Sequence, residues 1–104
     1  MNSKERRVCA ELGWSLCEFG KDVDVMQFSP AGEDFFFTVS RTNFAEEVRQ
    51  YAEDFDPDEH ATMWVENRNR VRGVPQSSRE LINDADAIKA MLVKLGDELM
   101  KTKE

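Results

Sequence analysis

The stretch Asp54-Phe55-Asp56-Pro57-Asp58 places acids at alternate positions, the arrangement a calcium loop needs to wrap a hard cation. The rest of that loop is missing. Its sixth position, where glycine permits the sharp turn, is Glu59, and its twelfth, where a bidentate glutamate is required, is Val65. Asp58-Glu59-His60 offers ligand types for a transition metal, yet His60 is the chain's one histidine and has no second His or Cys at helical spacing. The same residues make good sense as a helix start: Asp56 as cap, Pro57 at the first helical position, acids in the first turn. A hydrolase built on Asp56, Asp58 and His60 therefore ranks third, behind two interaction readings.

Carboxylate pairs such as Glu46 and Glu47, or Asp84 and Asp86, are numerous, but acid-base chemistry needs two acids converging in a pocket with separated pKa values. Adjacent acids on a helix face do not supply that. Ser77-Ser78 has no helper histidine nearby, and no glycine-rich phosphate loop or nucleophile elbow is present. Cys9 and Cys17 stand eight positions apart, neither a C-x-x-C motif nor a disulfide framework, so both are expected reduced and at least partly buried. The sequence reads as non-enzymatic, with no motif that calls for a cofactor or metal.

Charge layout is more informative. The chain has 104 residues and a formal net charge of -7, and between Glu18 and His60 twelve acids face three bases, a local net of -9. Glu46, Glu47, Glu53 and Asp54 form the densest part of that excess. Arg68, Arg70, Arg72 and Arg79 against Glu66 leave the following turn at about +3, a segment that can meet a phosphate or lie over the acidic half of its own chain. The overall negative charge argues against nucleic acid as a direct ligand, because neutralising phosphates needs a net basic surface.

The elements that must position these residues follow from periodicity. Val8, Cys9 and Leu12 make a helical stripe over residues 4 to 12, with Ser3 as cap and Gly13 as stop. Alternation from Trp14 to Phe19, from Val23 to Phe28 and from Asp34 to Ser40, separated by turns at Gly20-Lys21 and Pro30-Ala31-Gly32, predicts a three-stranded antiparallel meander. Phe35, Phe37 and Val39 share a face, with the sheet expected covered there and in part on its second face. Asn43 and Glu46 suggest a capping box for a helix with Phe44, Val48, Tyr51 and Phe55 inward and a solvated acidic stripe outward. A short helix carrying Ala61, Trp64 and Val65 follows Pro57.

Ser77 and Glu80 suggest a second capping box, opening a long helix whose Leu81, Ala85, Ile88, Leu92, Leu95 and Leu99 keep a heptad seam with a weak spot at Gly96. A monomer with this seam in its core is the default, and a homodimer through Ile88, Leu92, Leu95 and Leu99 is the alternative. The predicted fold is α+β in a single domain spanning residues 1–104, with the long C-terminal helix packed on the sheet. Its expected core comprises the inward strand and helix positions together with Phe28 and Trp64. No apolar run is long enough to span a bilayer, and residues 1–7 lack the apolar stretch of a signal peptide, so the expected location is cytoplasmic with no membrane contact.

Phe28 before Ser29-Pro30-Ala31-Gly32-Glu33-Asp34-Phe35, Asn43-Phe44 leading the acidic helix, Phe55-Asp56-Pro57-Asp58-Glu59-His60, and Gly73-Val74-Pro75 before Ser78-Arg79-Glu80-Leu81 give the chain a further character. In these it resembles small proteins without an assigned activity that are carried by phages and conjugative elements of gut Firmicutes. The resemblance implies a setting rather than a site: small acidic proteins of mobile elements resemble anti-restriction and anti-CRISPR factors that occupy a basic nucleic-acid-binding groove. The leading expectation is thus an acidic protein whose Glu46, Glu47, Glu53 and Asp54 meet the basic surface of a host or element-encoded protein. The alternative is a small regulator that binds nucleic acid or a partner through Arg68, Arg70 and Arg72.

Overall fold

The computed structural model describes residues 1–67 and 78–101. Helix α1 (Ser3–Glu11) leads into strands β1 (Ser15–Phe19), β2 (Asp22–Phe28) and β3 (Asp34–Ser40), and helices α2 (Phe44–Asp54), α3 (Pro57–Asn67) and α4 (Ser78–Lys101) follow. The strands pair in sequence order, both pairs antiparallel, so the α+β meander is as expected. Arg68, Arg70, Arg72 and the Ser77 cap lie outside the described residues. No helix among the described residues is long and apolar enough to cross a membrane.

Helix α1 is capped by Asn2 rather than Ser3. The Asn2 side chain accepts from Glu5 N at 2.8 Å, while the Glu5 carboxylate accepts from Asn2 N at 2.7 Å. That exchange closes a capping box one residue earlier than the sequence suggested. At the other end Gly13 adopts φ +86°, the left-handed conformation in which a Cβ would sit 2.5 Å from Gln27 Nε2. Gln27 uses that space to donate to the Leu12 carbonyl at 3.2 Å, tying the helix end to β2.

The register sets what each strand buries. Leu16 pairs with Val25 and Val25 with Phe37, so these point inward with Val23, Phe35 and Val39. Successive side chains alternate, which sends Phe28, like Asp22, Asp24 and Met26, to the opposite face. Phe28 is 68% exposed and does not join the core, contrary to expectation. Its even position on β2 cannot share a face with Val25. Cys17, between inward Leu16 and Glu18, is exposed for the same reason, whereas Cys9 is fully buried in α1. On the second face Phe19, Phe28 and Phe36 are exposed, while Asp24 and Met26 are half-buried.

All six seam positions of α4, from Leu81 to Leu99, are buried within the single chain. Ile88, Leu92, Leu95 and Leu99 join Val23, Val25, Phe35 and Phe37 in one core, which occupies the positions a coiled-coil dimer would have used. Gly96 is not a weak spot but a point of close approach. A Cβ there would lie 3.3 Å from Arg49 Cα, so the missing side chain lets α4 run against the α2 backbone. Lys89 of α4 donates to the carbonyls of Ala52 and Glu53, satisfying orphan acceptors at the C-terminus of α2.

Candidate functional site

On α2 the four acids marked in the sequence are not a free stripe. Arg49 lies between Glu46 and Glu53, bonded to them at 2.5 and 2.8 Å, so one positive charge is shared by two of the four acids and offsets one of their charges. Glu47 is half-buried and accepts from Ser40 N at 2.8 Å, sealing the end of β3. Asp54 is held by Gln50 Nε2 at 3.1 Å. The expected Asn43–Glu46 capping box is not formed, since Asn43 makes no side-chain cap bond. Glu46 reaches forward to Arg49 instead, where an opposite charge at i+3 outcompetes a neutral N–H.

Asp56 does what its position beside Pro57 predicts: one carboxylate oxygen accepts from Asp58 N at 3.0 Å and Glu59 N at 3.4 Å, capping α3. His60 turns away from Asp58 toward Glu33, its Nε2 lying 3.0 Å from both carboxylate oxygens. Its ring packs edge-on to Phe35 at 5.7 Å and beside Phe55 at 5.2 Å. Tyr51, Phe55, His60 and Met63 line a shallow cavity of about 410 Å³ rimmed by Asp54, Asp56 and Glu59. Among the described residues no three His, Cys, Asp or Glu converge on a point where a metal would sit.

A second constellation was not legible in the sequence. Ser29, Glu33 and Asp84 are buried polar residues, and the fold links them to His60. Ser29 Oγ donates to Asp84 at 2.6 Å and accepts from Glu33 N at 2.9 Å, while the other Asp84 oxygen accepts from Ala31 N at 2.9 Å. Serine, histidine and carboxylates are hydrolase residue types, but the hydroxyl proton goes to Asp84 and no Ser29–His60 bond exists to carry it to a base. The arrangement straps the β2–β3 turn onto α3 and α4.

What remains open is the outward face of the sheet. The pairing stacks four cross-strand rows: Phe28 with Asp34, then Ser15, Met26 and Phe36, then Cys17, Asp24 and Thr38, then Phe19, Asp22 and Ser40. Phe36 is 59% exposed and Phe19 47%. Asp24 accepts from Thr38 at 2.6 Å, and none of Asp22, Asp24 or Asp34 forms an ion pair with a described residue. No Lys or Arg occupies any outward strand position. A signal for this face existed in the sequence as Phe36 and Phe28 at even positions of strands whose odd positions were apolar.

The two thiols report on the two faces. Burial, with a smaller contribution from the Glu5 charge, pushes the Cys9 thiol up to about 12, so it stays protonated and shielded. Iodoacetamide is expected to modify Cys17 alone in the folded protein and both cysteines in denaturant, as counted by intact mass. Rapid double labelling without denaturant would contradict the packing of α1. No protein-family model, curated protein or solved structure matches the chain.

Proposed function

We propose that this is a non-enzymatic acidic interaction protein that binds a basic surface of a partner protein in the cytoplasm. In the setting its resemblance implies, that partner is a host nucleic-acid-handling protein and the consequence is interference with defence. The observation that carries this reading is the outward sheet face, where exposed Phe19, Phe28 and Phe36 stand among three aspartates and no outward strand position is a Lys or Arg. Exposed aromatics grouped on one face supply contact area, and unpaired like charges select and steer an oppositely charged partner. The acids of α2, held by Arg49, Gln50 and the Ser40 N–H, contribute to the field at a distance rather than as contacts.

The test is capture from a host lysate at low and high salt, with and without nuclease. Capture of a basic protein that survives nuclease and falls with salt supports the reading. Exposed charges act modestly one by one, ~0.2 to 1 kcal/mol each, so the combined Asp22→Asn, Asp24→Asn and Asp34→Asn variant is the fair comparison and is expected to weaken capture about tenfold. Capture that nuclease abolishes, and that changes at Arg68, Arg70 and Arg72 remove, would put the regulator reading in its place.

A further inference from the structure

We infer that the outward sheet face is the docking surface and that its occupant is one amphipathic, basic α-helix of the partner. This rests on the proposed function and names the part of the partner that is bound. Rows two residues apart are about 6.7 Å from one another, so four rows span about 20 Å, and the outer strands lie about 10 Å apart. That is the footprint of a single helix about 10 Å across and about 13 residues long. The opposite face of the same sheet is already covered by helices of this chain, and a helix on the open face completes a three-layer arrangement.

The chemistry along the face is not uniform. Two of the three aspartates, Asp22 and Asp24, occupy adjacent rows at one end, with Phe19 beside Asp22, while Met26, Phe36 and Phe28 gather at the other, with Asp34 beside Phe28. A helix that fits presents Arg or Lys on the turns over Asp22 and Asp24 and large apolar side chains on the turns over Met26 and Phe36, all on one stripe. A second copy of this chain is a poor occupant. It would bring the same three aspartates, on a chain of net charge -7, against a face whose strand positions include no cation to receive them.

Cys17 sits on the edge strand β1, in the row of Asp24, and is exposed, so it serves as a footprint probe. The experiment measures Cys17 alkylation by iodoacetamide in the full chain, with a synthetic helical peptide of about 14 residues. The peptide carries two Arg on its first turns and two Leu on its last, all on one face. Saturating peptide is expected to slow alkylation about tenfold, while an equally charged peptide with the Arg and Leu scattered around the helix leaves it within about twofold. Phe36→Ser with Asp24→Asn, both at outward positions, should weaken protection about tenfold while the chain still melts cooperatively; Glu46→Gln with Glu53→Gln should leave protection unchanged.

Equal protection by the scattered peptide, or none by either, overturns the inference. A solution mass of twice the chain that Phe36→Ser halves would make a second copy the occupant and overturn it too. The two levels fail separately. A captured partner kept by the sheet variant but lost by the α2 variant removes the docking surface and leaves the acidic reading standing, whereas capture indifferent to salt and to every acid removes the acidic reading itself.

Discussion

Leu92→Glu is expected to abolish the cooperative unfolding transition, leaving a chain with no thermal midpoint and no sharp tertiary signal. Leu92 is fully buried in the common core, flanked on the seam by Ile88 and Leu95. Truncating such a residue to alanine alone costs about 2–5 kcal/mol, and an unpaired carboxylate in the same place adds several more. The whole stability of a domain this size is about 5–15 kcal/mol, so the substitution consumes most or all of it. Leu92→Met, which conserves volume, is expected to lose less than ~1.5 kcal/mol and still melt cooperatively. Circular dichroism melts of the two variants read the difference. A soluble, well-folded Leu92→Glu monomer would mean that the seam faces another molecule, against the packing of α4.

The seam was legible because helical periodicity survives in a long element: six apolar positions spaced by four and three residues leave few alternatives. Short strands are less forgiving. Phe28 and Val25 are both apolar, and only the register, with Val25 opposite Leu16 and Phe28 opposite Asp34, separates an inward residue from an outward one. The α2 acids illustrate a different limit. Glu46 and Glu47 are chemically alike, and which one seals β3 depends on where Ser40 ends, a tertiary fact. Gly96 read as a loss of helix propensity, because its benefit lies in the Arg49 backbone of another helix. The acidic excess was visible as a count, but that Glu46 and Glu53 share Arg49 while Asp22, Asp24 and Asp34 pair with no described cation is a tertiary fact.

The strap under the β2–β3 turn was invisible for a related reason, since Ser29 and Asp84 are 55 positions apart and neither belongs to a motif. In the sequence Asp84 looked like the twin of Asp86; in the fold Asp84 is buried and Asp86 exposed. Asp84→Ala is therefore expected to destabilise the protein by about 1–4 kcal/mol, because it orphans the buried Ser29 hydroxyl, at ~1–3 kcal/mol, and removes the acceptor of the half-buried Ala31 N–H, at a smaller cost. Asp86→Ala should stay within ~0.5 kcal/mol. Urea denaturation measures both. Asp84→Asn separates shape from charge: its one amide oxygen can serve one of the two donors while its NH₂ faces the other, which places it between wild type and alanine. Adding Ser29→Ala to Asp84→Ala should cost less than the sum of the two, since the hydroxyl orphaned by the first change is removed by the second. The loss should also be local, with amide exchange at Ala31 and Glu33 in the turn rising before that of β3, because those N–H groups lean on Asp84 and on Ser29 Oγ. Strict additivity of the pair, with exchange at the turn unchanged, would mean that the strap carries no coupled energy and that Asp84 matters only as volume beside the β2–β3 turn.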